Sequence, residues 1–120
     1  MVDHPIEGQL LLAAGARASV PIHRVEGLVE EAQTYVEANR ADYERTYERI
    51  EGARDVDYYC VEDGFWAQAG EDLGFDRREA DAVRRAHEAQ FTRDGRRLDR
   101  QSEFETTLEL REIVAVSATR

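Results

Sequence analysis

Eight of the sixteen arginines fall between residues 76 and 100, beside only six acids. A guanidinium presents a flat fork of N–H donors that pairs bidentately with a carboxylate, a phosphate or the edge of guanine. Arg77, Arg78 and Arg85 lie within Arg77–Thr92, a stretch that reads as a helix. Arg93, Arg96, Arg97 and Arg100 follow directly. The chemistry on offer is recognition of an anion. Other chemistries find less support. His4, His23, His87 and Cys60 are the only soft metal ligands, and no CxxC or HxxxH spacing joins them, so no metal site is expected. His87 shares a helix face with Ala80, Val83 and Phe91 and reads as a histidine at the edge of the core. Cys60, in an apolar run, reads as inert packing. Carboxylate pairs such as Glu30/Glu31, Glu62/Asp63 and Glu71/Asp72 are expected in a chain with 26 acids, and nothing beside them marks a general acid or base. There is no phosphate-binding glycine loop and no nucleophile elbow. The chain reads as a non-enzymatic protein without a cofactor.

The elements that must carry these residues follow from periodicity. Residues 7–18 read as a short helix weakened by Gly15, and Ser19 to Pro21 as a break. Gly27 to Ile50 reads as one long helix, because Leu28, Ala32, Tyr35, Val36, Asn39, Tyr43, Tyr47 and Ile50 recur at helical spacing. At about 1.5 Å per residue it would be roughly 36 Å long, enough to cross the domain or reach into a partner. Tyr35, Asn39, Tyr43 and Tyr47 on that helix suit a homodimer interface. Gly52 closes it. Val56 to Val61 is β-branched and aromatic, a buried strand. Phe65 to Leu73 is a short helix, and Gly74, Phe75 and Asp76 form a corner. Arg77 to Thr92 is a helix with Asp76 as N-cap and Glu79 as its capping-box partner, ended by Asp94-Gly95. Residues 101–112 suit strand or helix equally. Ile113 to Ala118 reads as a strand beside Val56–Val61.

The stretch from Trp66 to Arg85, WAQAGEDLGFDRREADAVRR, resembles the helix-turn-helix unit of bacterial and archaeal DNA-binding proteins. Gly70 stands where that unit needs a small residue for close helix crossing. Leu73-Gly74 matches its corner, and Phe75, Ala80 and Val83 match its packing positions. The resemblance implies a recognition helix beginning at Arg77, with Arg77, Arg78, Asp81, Ala82 and Arg85 toward double-stranded DNA and Arg93, Arg96 and Arg97 on the flanking backbone. The order helix, strand, two helices, strand resembles a winged helix-turn-helix domain, with the tail as wing. The expected fold is therefore α+β, mostly helical, with a long N-terminal helix and a small sheet. The expected function is DNA binding as a transcriptional regulator. The alternative is a helical protein–protein interaction or assembly module that uses the Gly27–Ile50 helix as its contact surface.

With 120 residues the chain suits one domain, comprising an N-terminal helical part (7–50), a strand with the helix-turn-helix (56–92) and a basic loop with a terminal strand region (93–120). Apolar residues at 42% suffice for a core, and no run is long enough to span a membrane. A single cysteine fits a reducing cytoplasm. All sixteen cations are arginine and the net charge is −10, a balance that, with abundant alanine and valine, resembles cytoplasmic proteins of extremely halophilic archaea. The EDGFWAQAGEDLGF…READAVRRAH stretch is likewise similar to small haloarchaeal proteins of unknown function. At molar salt the Debye length is about 3 Å, so an acidic surface excludes fewer partners than it would in dilute buffer. The charge is also local. Residues 1–75 hold 6 arginines against 16 acids, and residues 76–100 hold 8 against 6.

Overall fold

Every residue of Val56–Val61 is buried, and this strand is the middle of the sheet. The computed structural model describes residues 4–118. In chain order these form α1 (Gly8–Ala18), α2 (Ile22–Ala38), α3 (Arg40–Thr46), β1 (Glu48–Glu51), β2 (Val56–Val61), α4 (Phe65–Leu73), α5 (Arg77–Arg97), α6 (Gln101–Leu110) and β3 (Glu112–Ser117). The class is α+β, with an antiparallel sheet in the order β1-β2-β3. Arg49 lies opposite Tyr59, and Tyr58 lies opposite Ala115. Two expected elements keep their bounds, Val56–Val61 and Phe65–Leu73.

The sheet has two edges, and each is managed differently. β1 carries Glu48, Arg49 and Glu51 on a short solvent-facing edge. The outer edge of β3 is sealed by buried side chains from three helices. Trp66 Nε1 donates to Ile113 O at 2.9 Å, and Gln33 Nε2 donates to Ala115 O at 3.2 Å. His87 Nδ1 accepts the Ala115 N–H at 2.9 Å. Backbone groups that would otherwise be buried without partners are thereby satisfied.

The helix spanning Gly27–Ile50 does not form. α2 begins earlier, after Pro21, and buries Val25, Leu28, Val29, Ala32, Gln33 and Val36. It ends at Asn39, whose backbone leaves helical geometry (φ −105°, ψ 6°). The Asn39 amide donates to Tyr35 O at 2.8 Å, a side-chain bond that competes with helix continuation. After α3, Tyr47 is extended, and Arg49 and Ile50 pair across to Tyr59 and Tyr58. Helical spacing of apolar residues thus gives way to pairing with a fully buried strand. Gly52 therefore closes a strand rather than a helix. It sits in the β1–β2 turn, donating to Val56 O at 2.8 Å.

α5 runs past Asp94-Gly95 to Arg97, because both residues are needed inside the core. Asp94 is fully buried and accepts the Tyr58 hydroxyl at 2.5 Å. A Cβ on Gly95 would stand 2.9 Å from the ring of Phe104, so hydrogen there lets α6 lie against α5. Phe104 stacks on Phe91 with ring centroids 4.2 Å apart. The tail accordingly makes one helix and one strand, and no two-stranded wing follows α5 among the described residues. α5 is the central helix of the domain, packing on α1, α2, α4, α6 and β3.

Candidate functional site

The corner between α4 and α5 is built as its residues demand. Gly74 takes a left-handed conformation (φ 75°) that strains a residue bearing a Cβ, and it closes α4. The Phe75 N–H returns to Gly70 O at 2.8 Å. A Cβ on Gly70 would lie 2.7 Å from that of Ala80, so α4 and α5 cross at van der Waals contact only because Gly70 has none. Asp76 Oδ1 accepts the Glu79 N–H at 2.8 Å, and Glu79 Oε1 accepts the Asp76 N–H at 2.9 Å, completing the capping box. Glu79 also pairs with Arg24 of α2. Ala80 and Val83 are buried.

The arginines of α5 divide into two groups. Arg77 and Arg78 are exposed and make no ion pair among the described residues. Arg85 is half-buried against Asp81 at 2.7 Å, and Arg84 reaches the same carboxylate at 2.5 Å and Glu88 at 2.7 Å. Burial works to raise the Asp81 carboxyl, but hydrogen bonds from Arg85 and Arg84 outweigh it and hold it below its ordinary range. Ala82 is fully buried, so it reaches no exterior surface and drops out of the expected DNA-facing group. α5 is exposed at its two ends, at Arg77 and Arg78 and again at Arg96 and Arg97, and half-buried or buried between them.

At the other end, Arg93 and Arg97 are engaged internally. Glu7, at the start of α1, accepts from Arg93 at 3.2 Å and from Arg97 at 2.7 and 3.0 Å. Gln90 Nε2 adds a bond at 2.8 Å and Arg54 one at 3.4 Å. The Arg97 hydrogen bond is the main reason the Glu7 carboxyl falls to about 2. Arg97 also reaches Asp94 at 3.4 Å. These two arginines lock the amino terminus of α1 onto the end of α5. Arg96 is exposed without an ion pair among the described residues. Arg100 pairs with Glu103 and lies 4.9 Å over the Phe104 ring.

One residue absent from the sequence expectation joins the site. Arg17, in the last turn of α1, is exposed and makes no ion pair among the described residues. Arg17, Ser19, Arg77, Arg78 and Asp81 border one shallow hollow. Ser19 ends α1 in a left-handed turn (φ 59°). The readable signal was the helix break at Ser19, which had no counterpart to place it beside α5.

The residues expected at a dimer interface make contacts within the fold. Tyr43 is buried, its ring 5.7 Å from those of Tyr47 and Phe65 and 6.0 Å from that of Tyr59. The Tyr35 hydroxyl donates to Asp72 at 2.9 Å and that of Tyr47 to Glu62 at 2.5 Å. Asn39 is occupied by Tyr35 O. Tyr35 lies on α2 and Tyr43 on α3, with Asn39 between the two helices and Tyr47 just after the second.

His87 lies in the core rather than at its edge. It is fully buried, and burial lowers its imidazole to about 3. Cys60 is also buried, which pushes its thiol up to about 11. Among the described residues no group of His, Cys, Asp and Glu is arranged to hold a metal ion, and no helix is long and apolar enough to cross a membrane.

No curated protein and no solved structure matches the chain. A family model described as a domain of unknown function, DUF8048, matches residues 4–118, and the chain belongs to that family.

Proposed function

We propose that the chain binds double-stranded DNA, as a transcriptional regulator of the helix-turn-helix kind, through the amino-terminal end of α5. The observation that carries this reading is the convergence of Arg17, Arg77 and Arg78 on one hollow, none of them in an ion pair among the described residues. Acids outnumber arginines by 26 to 16, and carboxylates neutralise most of the other guanidiniums within the fold. Three arginines left open side by side, on two helices, match a run of phosphates. The corner geometry around Gly70, Gly74 and Ala80 supports the same reading.

The DNA-facing group is narrower than the sequence suggests. Arg77 and Arg78 remain, Arg17 is added, and Arg85 stands at the margin with its charge shared by Asp81. Arg93 and Arg97 belong to the clamp on Glu7 and are not part of it. The interaction-module alternative relied on one long helix, which in the structure is divided among α2, α3 and β1.

Backbone amide shifts recorded by NMR during titration with a duplex in molar KCl test the placement. The reading expects Arg17, Ser19, Arg77 and Arg78 to move together while β1 and α6 stay still. Shifts centred on any other surface, or none at all, would overturn it.

A further inference from the structure

A second hollow lies under the same corner, on the α4 side. Its volume is about 350 Å³, within the range of small-molecule sites. Trp66, Ala67, Phe75 and Ala80 give it an apolar wall. The close α4–α5 crossing at Gly70 and Ala80, with short side chains at Ala67 and Ala80, leaves this space open.

The charges on its rim are mostly spent. Asp76 caps α5, and Asp81 is held by Arg84 and Arg85. Arg84 is held by Asp81 and Glu88. Glu112 accepts the N–H groups of Gly64 at 2.5 Å and Trp66 at 3.0 Å. Two rim charges make no ion pair among the described residues, the cation of Arg77 and the carboxylate of Glu71.

We propose that this hollow binds an α-amino acid with a large apolar side chain. Its carboxylate meets Arg77, its ammonium meets Glu71, and its side chain covers Trp66 and Phe75. An apolar molecule without charges leaves both rim groups unused, and one with a single charge leaves one of them unanswered. The site stands on its own geometry and does not depend on the DNA reading, although Arg77 borders both hollows.

Trp66 is the one tryptophan in the chain, so its fluorescence reports on the hollow directly. The wild-type chain is titrated in molar KCl with L-phenylalanine, 3-phenylpropanoate and 2-phenylethylamine. Phenylalanine is expected to bind saturably and each single-charge analogue about tenfold more weakly. Arg77→Gln should weaken phenylalanine by about tenfold and leave 2-phenylethylamine unweakened. Glu71→Gln should do the converse, sparing 3-phenylpropanoate. Ala67 is exposed on α4, so Ala67→Leu fills the hollow without entering the core and should abolish binding. Absence of a saturable signal with phenylalanine, equal binding of the three compounds, or wild-type affinity in Ala67→Leu would overturn the proposal. No DNA enters the titration, so its failure would leave the DNA reading where it was.

Discussion

Lowering the pH from 7.5 to 5 should destabilise this protein through one buried side chain, His87. Its Nδ1 accepts the Ala115 N–H and its ring lies 4.6 Å from that of Trp66, with no solvent exposure. Nδ1 must be unprotonated to accept, so the folded imidazole is neutral with its proton on Nε2. A second proton would have to sit on Nδ1, against the Ala115 N–H, and Nε2 has no partner to stabilise the resulting charge. The imidazole falls from its ordinary 6.5 to about 3 on folding, chiefly by burial. The folded pKa lies below the unfolded one, so the unfolded chain binds the extra proton first. Stability is therefore complete above pH 6.5 and declines as the pH falls. At pH 5 the unfolded state gains RT ln(1 + 10^1.5), about 2 kcal/mol. Glu112 works against this, since burial raises its carboxyl and the folded state takes up that proton more readily. Glu7 and Asp81 are depressed on folding, so their contributions are lost only below the ordinary carboxylate range. The window from pH 6.5 to 5 thus belongs mainly to His87. Urea unfolding in constant molar KCl, followed by circular dichroism, measures the loss. His87→Asn keeps an acceptor near the Nδ1 position, loses some packing on Trp66, and cannot titrate. The wild type should lose about 2 kcal/mol between pH 7.5 and pH 5, and the variant less than about 0.5 kcal/mol. Equal losses in the two proteins would refute the argument.

Three further outcomes follow from packing and charge. Gly70→Ala places a methyl 2.7 Å from that of Ala80, which should force α4 and α5 apart and cost about 1–3 kcal/mol in urea unfolding. An unchanged midpoint would mean that the crossing is looser than described. Phe104→Ala removes a fully buried ring stacked on Phe91, and should cost about 3–5 kcal/mol in the same assay. Glu7→Gln keeps the side chain's shape but removes the charge that Arg54, Arg93 and Arg97 share. Because that carboxyl is partly exposed, the cost should be only about 1 kcal/mol in dilute buffer and smaller at high salt. Wild-type stability should in turn fall as the pH drops from 4.5 toward 2, while the variant lacks that share of the loss.

Local chemistry made part of this fold legible. The run VDYYCV could only be a buried strand, and the Asp76/Glu79 pair marked the start of α5 because a capping box is a short-range device. Gly70 and Gly74 announced the corner for the same reason. The failures are where a tertiary contact overrode a local preference. Tyr43, Tyr47 and Ile50 continue a helical stripe, yet β2 offers backbone partners that turn residues 48–51 into a strand. Asp94-Gly95 looks like a helix stop, but Tyr58 needs the carboxylate and Phe104 needs the missing side chain. Within the candidate site, sequence spacing placed Arg77, Arg78, Asp81 and Arg85 on one helix face. The same spacing lets Asp81 pair with Arg85, as it does, but gave no sign that Glu7 would capture Arg93 and Arg97 from more than eighty residues away. Which arginines stay free is a property of the assembled chain. Arg17 entered the site the same way, because α1 ends beside the start of α5.

The central claim rests on Arg17, Arg77 and Arg78, and the affinity of the chain for duplex DNA tests it most directly. Fluorescence anisotropy with a mixed-sequence duplex over a series of KCl concentrations compares three proteins. These are the wild type, Arg17→Ala/Arg77→Ala/Arg78→Ala, and Arg93→Ala/Arg97→Ala. The account predicts that the triple substitution weakens binding at every salt concentration. It also predicts that the slope of log affinity against log salt falls by about 0.9 for each phosphate the protein no longer neutralises. The clamp variant should bind as the wild type does, once conditions are chosen in which it is folded. Equal affinity of the wild type and the triple variant, or no binding by the wild type, would contradict it.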